Sequence, residues 1–150
     1  MGATHFSGPV VSGDLQSGET NGPNQGFAVL SQSTSITQNS TTAVSSTLYI
    51  PAGSRIVDFN IDVLTAYNSA TSATLTIGTA AAGTQYVASI DAKTAGRAAI
   101  TYTAAQLAAM NGVTTTGGAA ATTAPVVVTV TPVGATSAGY VVVTVLYVQQ

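Results

Sequence analysis

Asp58 and Asp62, with Asn60 between them, form the tightest grouping of acidic and amide side chains in this sequence. Asp-x-Asn-x-Asp is how a calcium-binding loop opens. Such a loop also needs Gly at its sixth position and a bidentate Glu at its twelfth, where this chain has Val63 and Ser69. The two carboxylates also fail as a general acid–base pair. On a strand, residues four apart lie about 13 Å from each other at 3.3 Å per residue, and glycosidase pairs stand within about 10 Å. His5 is the only imidazole, so a Ser-His-Asp arrangement would draw its base from the extreme N-terminal stretch. Arg55, Lys93 and Arg97 are scattered over three segments. The ordinary role of Arg97 is a surface ion pair with Asp91, and its functional role would be an interface salt bridge. No catalytic residue, metal ligand or cofactor-binding motif is assigned.

The elements that carry these residues are β-strands. Val57, Phe59, Ile61 and Val63 fall on one face of Arg55–Tyr67, and Asp58, Asn60 and Asp62 on the other. A sheet with one buried and one wet face imposes that period of two. Pro51-Ala52-Gly53 supplies turn chemistry just before it. Further strands are expected at 27–37, 43–50, 73–78, 85–90, 98–103, 125–131 and 139–148. Thr103-Ala104-Ala105-Gln106 has the form of a capping box, and Asn111-Gly112 a helix stop, so one short helix is expected over 104–110. The Thr, Gly and Ala run from Thr114 to Ala124 reads as a low-complexity loop. Residues 1–26 hold Gly and Pro without a period, which predicts an irregular N-terminal arm ahead of a domain over 27–150. The fold class is therefore all-β, a β-sandwich of jelly-roll type with about eight antiparallel strands.

Composition narrows function further. Of 150 residues only 5% are charged, against about 25% in an average soluble domain. A formal charge of −2 gives no basic footprint for nucleic acid. With no Cys, disulfides, zinc ribbons and thiol nucleophiles are excluded. No apolar run is long enough to span a membrane as a helix. Met1 to Phe6 lacks a positive segment and no apolar core follows, which predicts synthesis in a cytoplasm without a secretory signal. At 45% hydrophobic, the chain has the apolar content to fold.

The unusual strand is the last. Tyr140 to Val148 is apolar on both faces, and a pair formed with Pro125–Val130 should not stand in water. A domain this small has difficulty covering every sheet face internally. Tyr140, Val142, Leu146 and Val148, with Arg97, are therefore candidates for a subunit interface. In the arm, His5, Phe6, Pro9, Val10 and Val11 are candidate anchors on a partner surface.

Three stretches resemble the head decoration, or capsid cement, proteins of tailed bacteriophages. They are Thr4-His5-Phe6-Ser7-Gly8-Pro9-Val10; Tyr49-Ile50-Pro51-Ala52-Gly53-Ser54-Arg55-Ile56 with Ala73 to Thr79; and Val126 to Pro132 with Ala138-Gly139 and Val143 to Val148. The resemblance implies a sandwich subunit, usually oligomeric and often trimeric, on the outside of an icosahedral head. Its partner would be the major capsid protein, and it would clamp neighbouring capsid subunits against internal DNA pressure. Such a protein is made in the host bacterial cytoplasm and ends on the virion exterior. The competing class is a host-surface or carbohydrate-binding sandwich from a phage fibre or tail. That reading calls for an aromatic platform, yet Trp is absent and the six Tyr are scattered.

Overall fold

The alternation expected over Arg55–Tyr67 falls on a strand that ends at Thr65 in the computed structural model, which describes residues 11–12, 26–111 and 123–149. Along the chain come β1 (Val11–Ser12), β2 (Gly26–Phe27), β3 (Val29–Thr37), β4 (Val44–Pro51), β5 (Arg55–Thr65), β6 (Ser72–Gly78), β7 (Val87–Asp91) and β8 (Gly96–Arg97). Helix α1 (Ala104–Met110), β9 (Thr123–Val133) and β10 (Tyr140–Val148) complete it. Among the described residues, β1 and β2 pair only with each other. The other eight strands form two four-stranded antiparallel sheets, in the orders β3-β10-β5-β8 and β4-β9-β6-β7. Counted from β3, the first, eighth, third and sixth strands make one sheet and the second, seventh, fourth and fifth the other. That is the jelly-roll order.

The core lies between the sheets. From one side it receives Ile56, Phe59, Ile61 and Val63 of β5 with Val141, Val143 and Val145 of β10. From the other come Val126, Val128 and Val130 of β9 with Leu75 and Ile77 of β6. Each large aliphatic side chain buried this completely contributes roughly 1.5–3 kcal/mol. Residues between them on β5 and β10 turn outward, the alternation read from the sequence for β5, whereas Val127 and Thr129 of β9 are buried as well.

Two bulges alter that reading of β5. Leu146 stands opposite Asp58 and Tyr147 opposite Ile56, so Val57 is the extra residue. Ile56 therefore enters the core at 3% exposure, and Val57, expected inside, is 41% exposed. At the far end, Tyr140 faces Thr65 and Val141 faces Val63, which leaves Leu64 in the second bulge and 61% exposed.

β9 and β10 do not pair, contrary to expectation. Each is an inner strand of a different sheet: β10 lies between β3 and β5, and β9 between β4 and β6. Their apolar inner faces meet across the core. The two prolines of β9 fit because each sits where the strand is paired on one side only. Pro125 is opposite Tyr49 of β4, beyond the last β6 partner at Val127. Pro132 is opposite Ala73 of β6, beyond the last β4 partner at Val130. A residue without N–H is tolerated there. β9 also starts earlier than expected, and Ala124, assigned to the low-complexity loop, is completely buried.

The strand expected over 98–103 is replaced by a two-residue ladder. Gly96 and Arg97 pair with Val63 and Asp62, and the Ala98 N–H donates to the Ile61 carbonyl at 2.9 Å. Thr103 then caps α1. Its hydroxyl accepts from the Gln106 N–H at 3.3 Å while Gln106 Oε1 accepts from the Thr103 N–H at 2.8 Å. The cap turns the chain off the β5 edge. Asn111 closes α1, donating to the Ala108 carbonyl.

Tyr67 fixes the corner after β5. It is 1% exposed, its hydroxyl donates to the Ile36 carbonyl at 3.1 Å, and its N–H donates to the Ala92 carbonyl at 3.0 Å. Burial pushes its phenol up to about 12 from an ordinary value near 10. Between those values the unfolded chain releases the proton and the folded chain keeps it, so stability falls as pH rises through this window. The loss reaches about 2–3 kcal/mol near pH 12. Tyr86 and Tyr102, also raised mainly by burial, act in the same sense. Urea midpoints at pH 9 and pH 11 should show the decline, and Tyr67→Phe should reduce it without abolishing it.

Candidate functional site

The outward residues of β10 are Tyr140, Val142, Thr144 and Leu146, all half-buried, alternating with fully buried Val141, Val143 and Val145. On one side the register sets them against Thr37, Ser35, Ser33 and Ser31 of β3. On the other they meet Thr65, Asp62, Asn60 and Asp58 of β5. One sheet face thus carries an apolar stripe between a hydroxyl row and an acidic row. Ser33 and Thr144 hydroxyls join at 2.7 Å across the boundary. Exposed Leu64, on β5 two residues beyond Asp62, widens the apolar share of the face.

Arg97 belongs to this face. Its Nε and Nη2 donate to Asp62 Oδ1 and Oδ2 at 2.8 and 2.9 Å. The partner anticipated from the sequence, Asp91, instead accepts from the Lys93 N–H at 2.9 Å and from the Thr94 hydroxyl at 3.0 Å. The switch follows from the β5–β8 register, which puts Arg97 directly opposite Asp62. The Arg97 hydrogen bonds hold the Asp62 carboxyl below its ordinary value, and the Arg97 guanidinium is raised in return. Both ends are solvent-accessible, so the pair orders this edge more than it stabilises the fold.

Asp58 has different partners. Its Oδ1 accepts from the Tyr102 hydroxyl at 2.6 Å and from the Phe59 N–H at 2.8 Å. Burial, then the bond to Asp58, raises the Tyr102 phenol, which stays a neutral donor. Asp58 and Asp62 therefore look along one face, each tied to its own donor. Among the described residues, no three His, Cys, Asp or Glu side chains gather where they could hold a metal ion. A shallow groove beside β7 is lined by Ser89, Asp91, Arg97 and small residues such as Ala98 and Ala99.

Of the sequence-derived candidates, Tyr140, Val142, Leu146 and Arg97 share one sheet face. Val148 is 8% exposed, opposite Val29, and offers little surface. His5, Phe6, Pro9 and Val10 lie outside the described residues, and Val11 is described only through its backbone pairing with Phe27. That short β1–β2 ladder places ordered backbone inside the stretch read as an irregular arm. Protein-family models, curated proteins and solved structures yield no match to this chain. The Ser31, Ser33 and Ser35 row is not among the candidates the sequence pointed to. Its signal was present, since serine stands at alternate positions 31, 33 and 35 of β3.

Proposed function

We propose that the chain is a structural virion protein that binds the outer surface of a tailed-phage head and bridges neighbouring major capsid subunits. The observation that carries this reading is the outer face of β10, where Tyr140, Val142 and Leu146 stay half-exposed on an inner strand. Such a stripe, flanked by hydroxyls and rimmed by the Asp62–Arg97 pair, has the composition of a contact surface: apolar in the middle, polar at the rim. The jelly-roll order and the resemblance in three stretches support the same reading.

The mechanism is multivalent adhesion. One subunit contributes a modest capsid contact through its N-terminal residues and a sheet edge, while the β10 face joins the copies to one another. A symmetric oligomer, with a trimer favoured, engages several equivalent contacts at once, and the high effective concentration multiplies weak affinities by roughly 10²–10⁴. No chemical step is required. Bridging two capsid subunits raises the work needed to separate them, which is how a passive clamp resists internal pressure.

Removing residues 2–20 tests the contribution of the N-terminal stretch. The sandwich should still fold, and binding to expanded heads should be lost. Unchanged occupancy on the heads would contradict the assignment of that stretch to capsid contact.

A further inference from the structure

β3 is an edge strand without the usual protection. Among the described residues, β10 fills one side of it from Val29 to Thr37 and nothing pairs with the other. Edges are normally guarded by charges, prolines, bulges or short length. The other three edges of the two sheets carry such guards. β4 ends in Pro51, β7 is five residues long and ends in Asp91, and β8 is two residues with Arg97. β3 reads Val-Leu-Ser-Gln-Ser-Thr-Ser-Ile-Thr, uncharged and without proline, and its register with β10 is unbroken over nine residues.

The backbone of this edge is aimed outward at alternate residues. The Gln38 N–H donates to the Gly139 carbonyl at 2.9 Å, and the same register runs on through β3 and β10. In an antiparallel ladder, hydrogen-bonded and non-hydrogen-bonded pairs alternate. Ile36, Thr34, Gln32 and Leu30 therefore direct their N–H and C=O groups to β10. Those of Val29, Ser31, Ser33, Ser35 and Thr37 point to the free side.

The sequence of β3 fits one occupant, a second copy of itself. Read outward from Ser33, the strand is close to a palindrome. Gln32 mirrors Thr34, Ser31 mirrors Ser35, Leu30 mirrors Ile36, and Val29 mirrors Thr37, also β-branched. Two identical strands paired antiparallel about a two-fold axis set each residue opposite its mirror. The centre of the palindrome, Ser33, is also a residue whose backbone groups point outward. Side-chain order and hydrogen-bond parity thus select the same axis independently. We propose that β3 pairs antiparallel with β3 of a second copy, Ser33 opposite Ser33, joining the four-stranded sheets of two copies into one of eight strands.

The flank of the sandwich supports this pairing. Leu30, Gln32 and Thr34 of β3 and Val44, Ser46 and Leu48 of β4 lie on the inner faces yet are only half-buried. The Thr34 and Ser46 hydroxyls meet at 2.6 Å across the gap between the sheets. Pairing sets Leu30 beside Ile36 of the second copy, where apolar cover is missing. A slip of one residue would set these inward side chains opposite outward serines. The outer faces of the two copies come to the same side, so Tyr140, Val142 and Leu146 of each remain outward. The opposite flank, at β7 and β8, is untouched. The contact uses an edge and depends neither on head binding nor on the contact assigned to the β10 face.

The test uses the isolated full-length protein, which has no cysteine of its own. In a Ser33→Cys variant the two cysteines face each other across the axis. Their Cα atoms would stand about 5.5 Å apart, within disulfide reach of about 4.4–6.8 Å. In Ser31→Cys or Ser35→Cys alone, like positions are offset by four residues, about 13 Å along the strand. Ser33→Cys should therefore oxidise to a disulfide-linked dimer at least about tenfold faster than either. An equimolar mixture of Ser31→Cys and Ser35→Cys chains should recover fast formation, as a mixed disulfide. Equal rates for the three single variants, no gain in the mixture, or chains that stay monomeric throughout would overturn the proposal.

Discussion

Replacing Gly139 with alanine is expected to cost the fold about 3 kcal/mol, near the top of the range for overpacking a well-packed core. A Cβ at this position would stand under 3.0 Å from Cγ, Cδ1 and Cε1 of the Tyr67 ring. The ring has nowhere to go. Its hydroxyl is held by Ile36 and its peptide by Ala92. The Gly139 backbone is equally fixed, since its carbonyl accepts from the Gln38 N–H at 2.9 Å. Just before it, Asn68 Oδ1 accepts from the N–H groups of Ser137 and Ala138 at 2.9 and 3.0 Å. Both partners in the clash are therefore pinned, and the strain must be taken up by the start of β10. For a domain of this size that is a fall in melting temperature of about 6–12 °C. Gly53→Ala is the appropriate control: its φ of +76° disfavours a side chain, but nothing lies within 4 Å. That change should cost about 1 kcal/mol from backbone strain alone. Urea denaturation of the two variants separates contact from conformation, and equal losses would mean that the Tyr67–Gly139 contact is not close.

With the β10 face as the proposed contact between copies, Leu146→Lys should leave the sandwich folded and weaken that self-association about a hundredfold. Leu146 lies opposite Asp58 on β5 and Ser31 on β3. The Tyr102 hydroxyl and the Phe59 N–H both use Asp58 Oδ1, which leaves Oδ2 to a new ammonium group. Within the monomer the lysine thus gains an opposite charge across the strands, a favourable pairing. Across a subunit contact the ammonium and the Asp58 carboxylate would both have to lose water, which is costly even for a paired charge. Folding and association respond in opposite ways to one substitution, so a merely destabilised protein cannot imitate the result. Sedimentation velocity with a parallel urea titration reads both. Unaltered association would remove the β10 face from the interface.

Legibility from sequence depended on whether a signal was local. The Val57–Val63 alternation identified β5, because every second side chain answers to one core. It could not reveal the two bulges, since those are set by the register with β10, some eighty residues away. The apolar run of β10 was readable as a strand, but its neighbours were not. Pro125–Val130 is just as apolar and lies nearest in sequence among the β-rich segments, yet it belongs to the opposite sheet. At 98–103, β-branched and aromatic residues favoured a strand, and the Thr103–Gln106 capping box pulled the chain the other way. The ion-pair partner of Arg97 was likewise a question of register: Asp91 is near in sequence, and Asp62 is opposite in space. Composition marked the stretch that holds β9 and β10, because after Arg97 the chain carries no charge at all.

The central claim, that this sandwich decorates a phage head, is tested most directly by electron microscopy of heads assembled with and without the chain. Extra density is expected on the outer surface where capsid subunits meet, present only when the chain is supplied and built from symmetric copies of a two-sheet domain. Heads identical in both preparations, with the protein remaining in the soluble fraction, would contradict it.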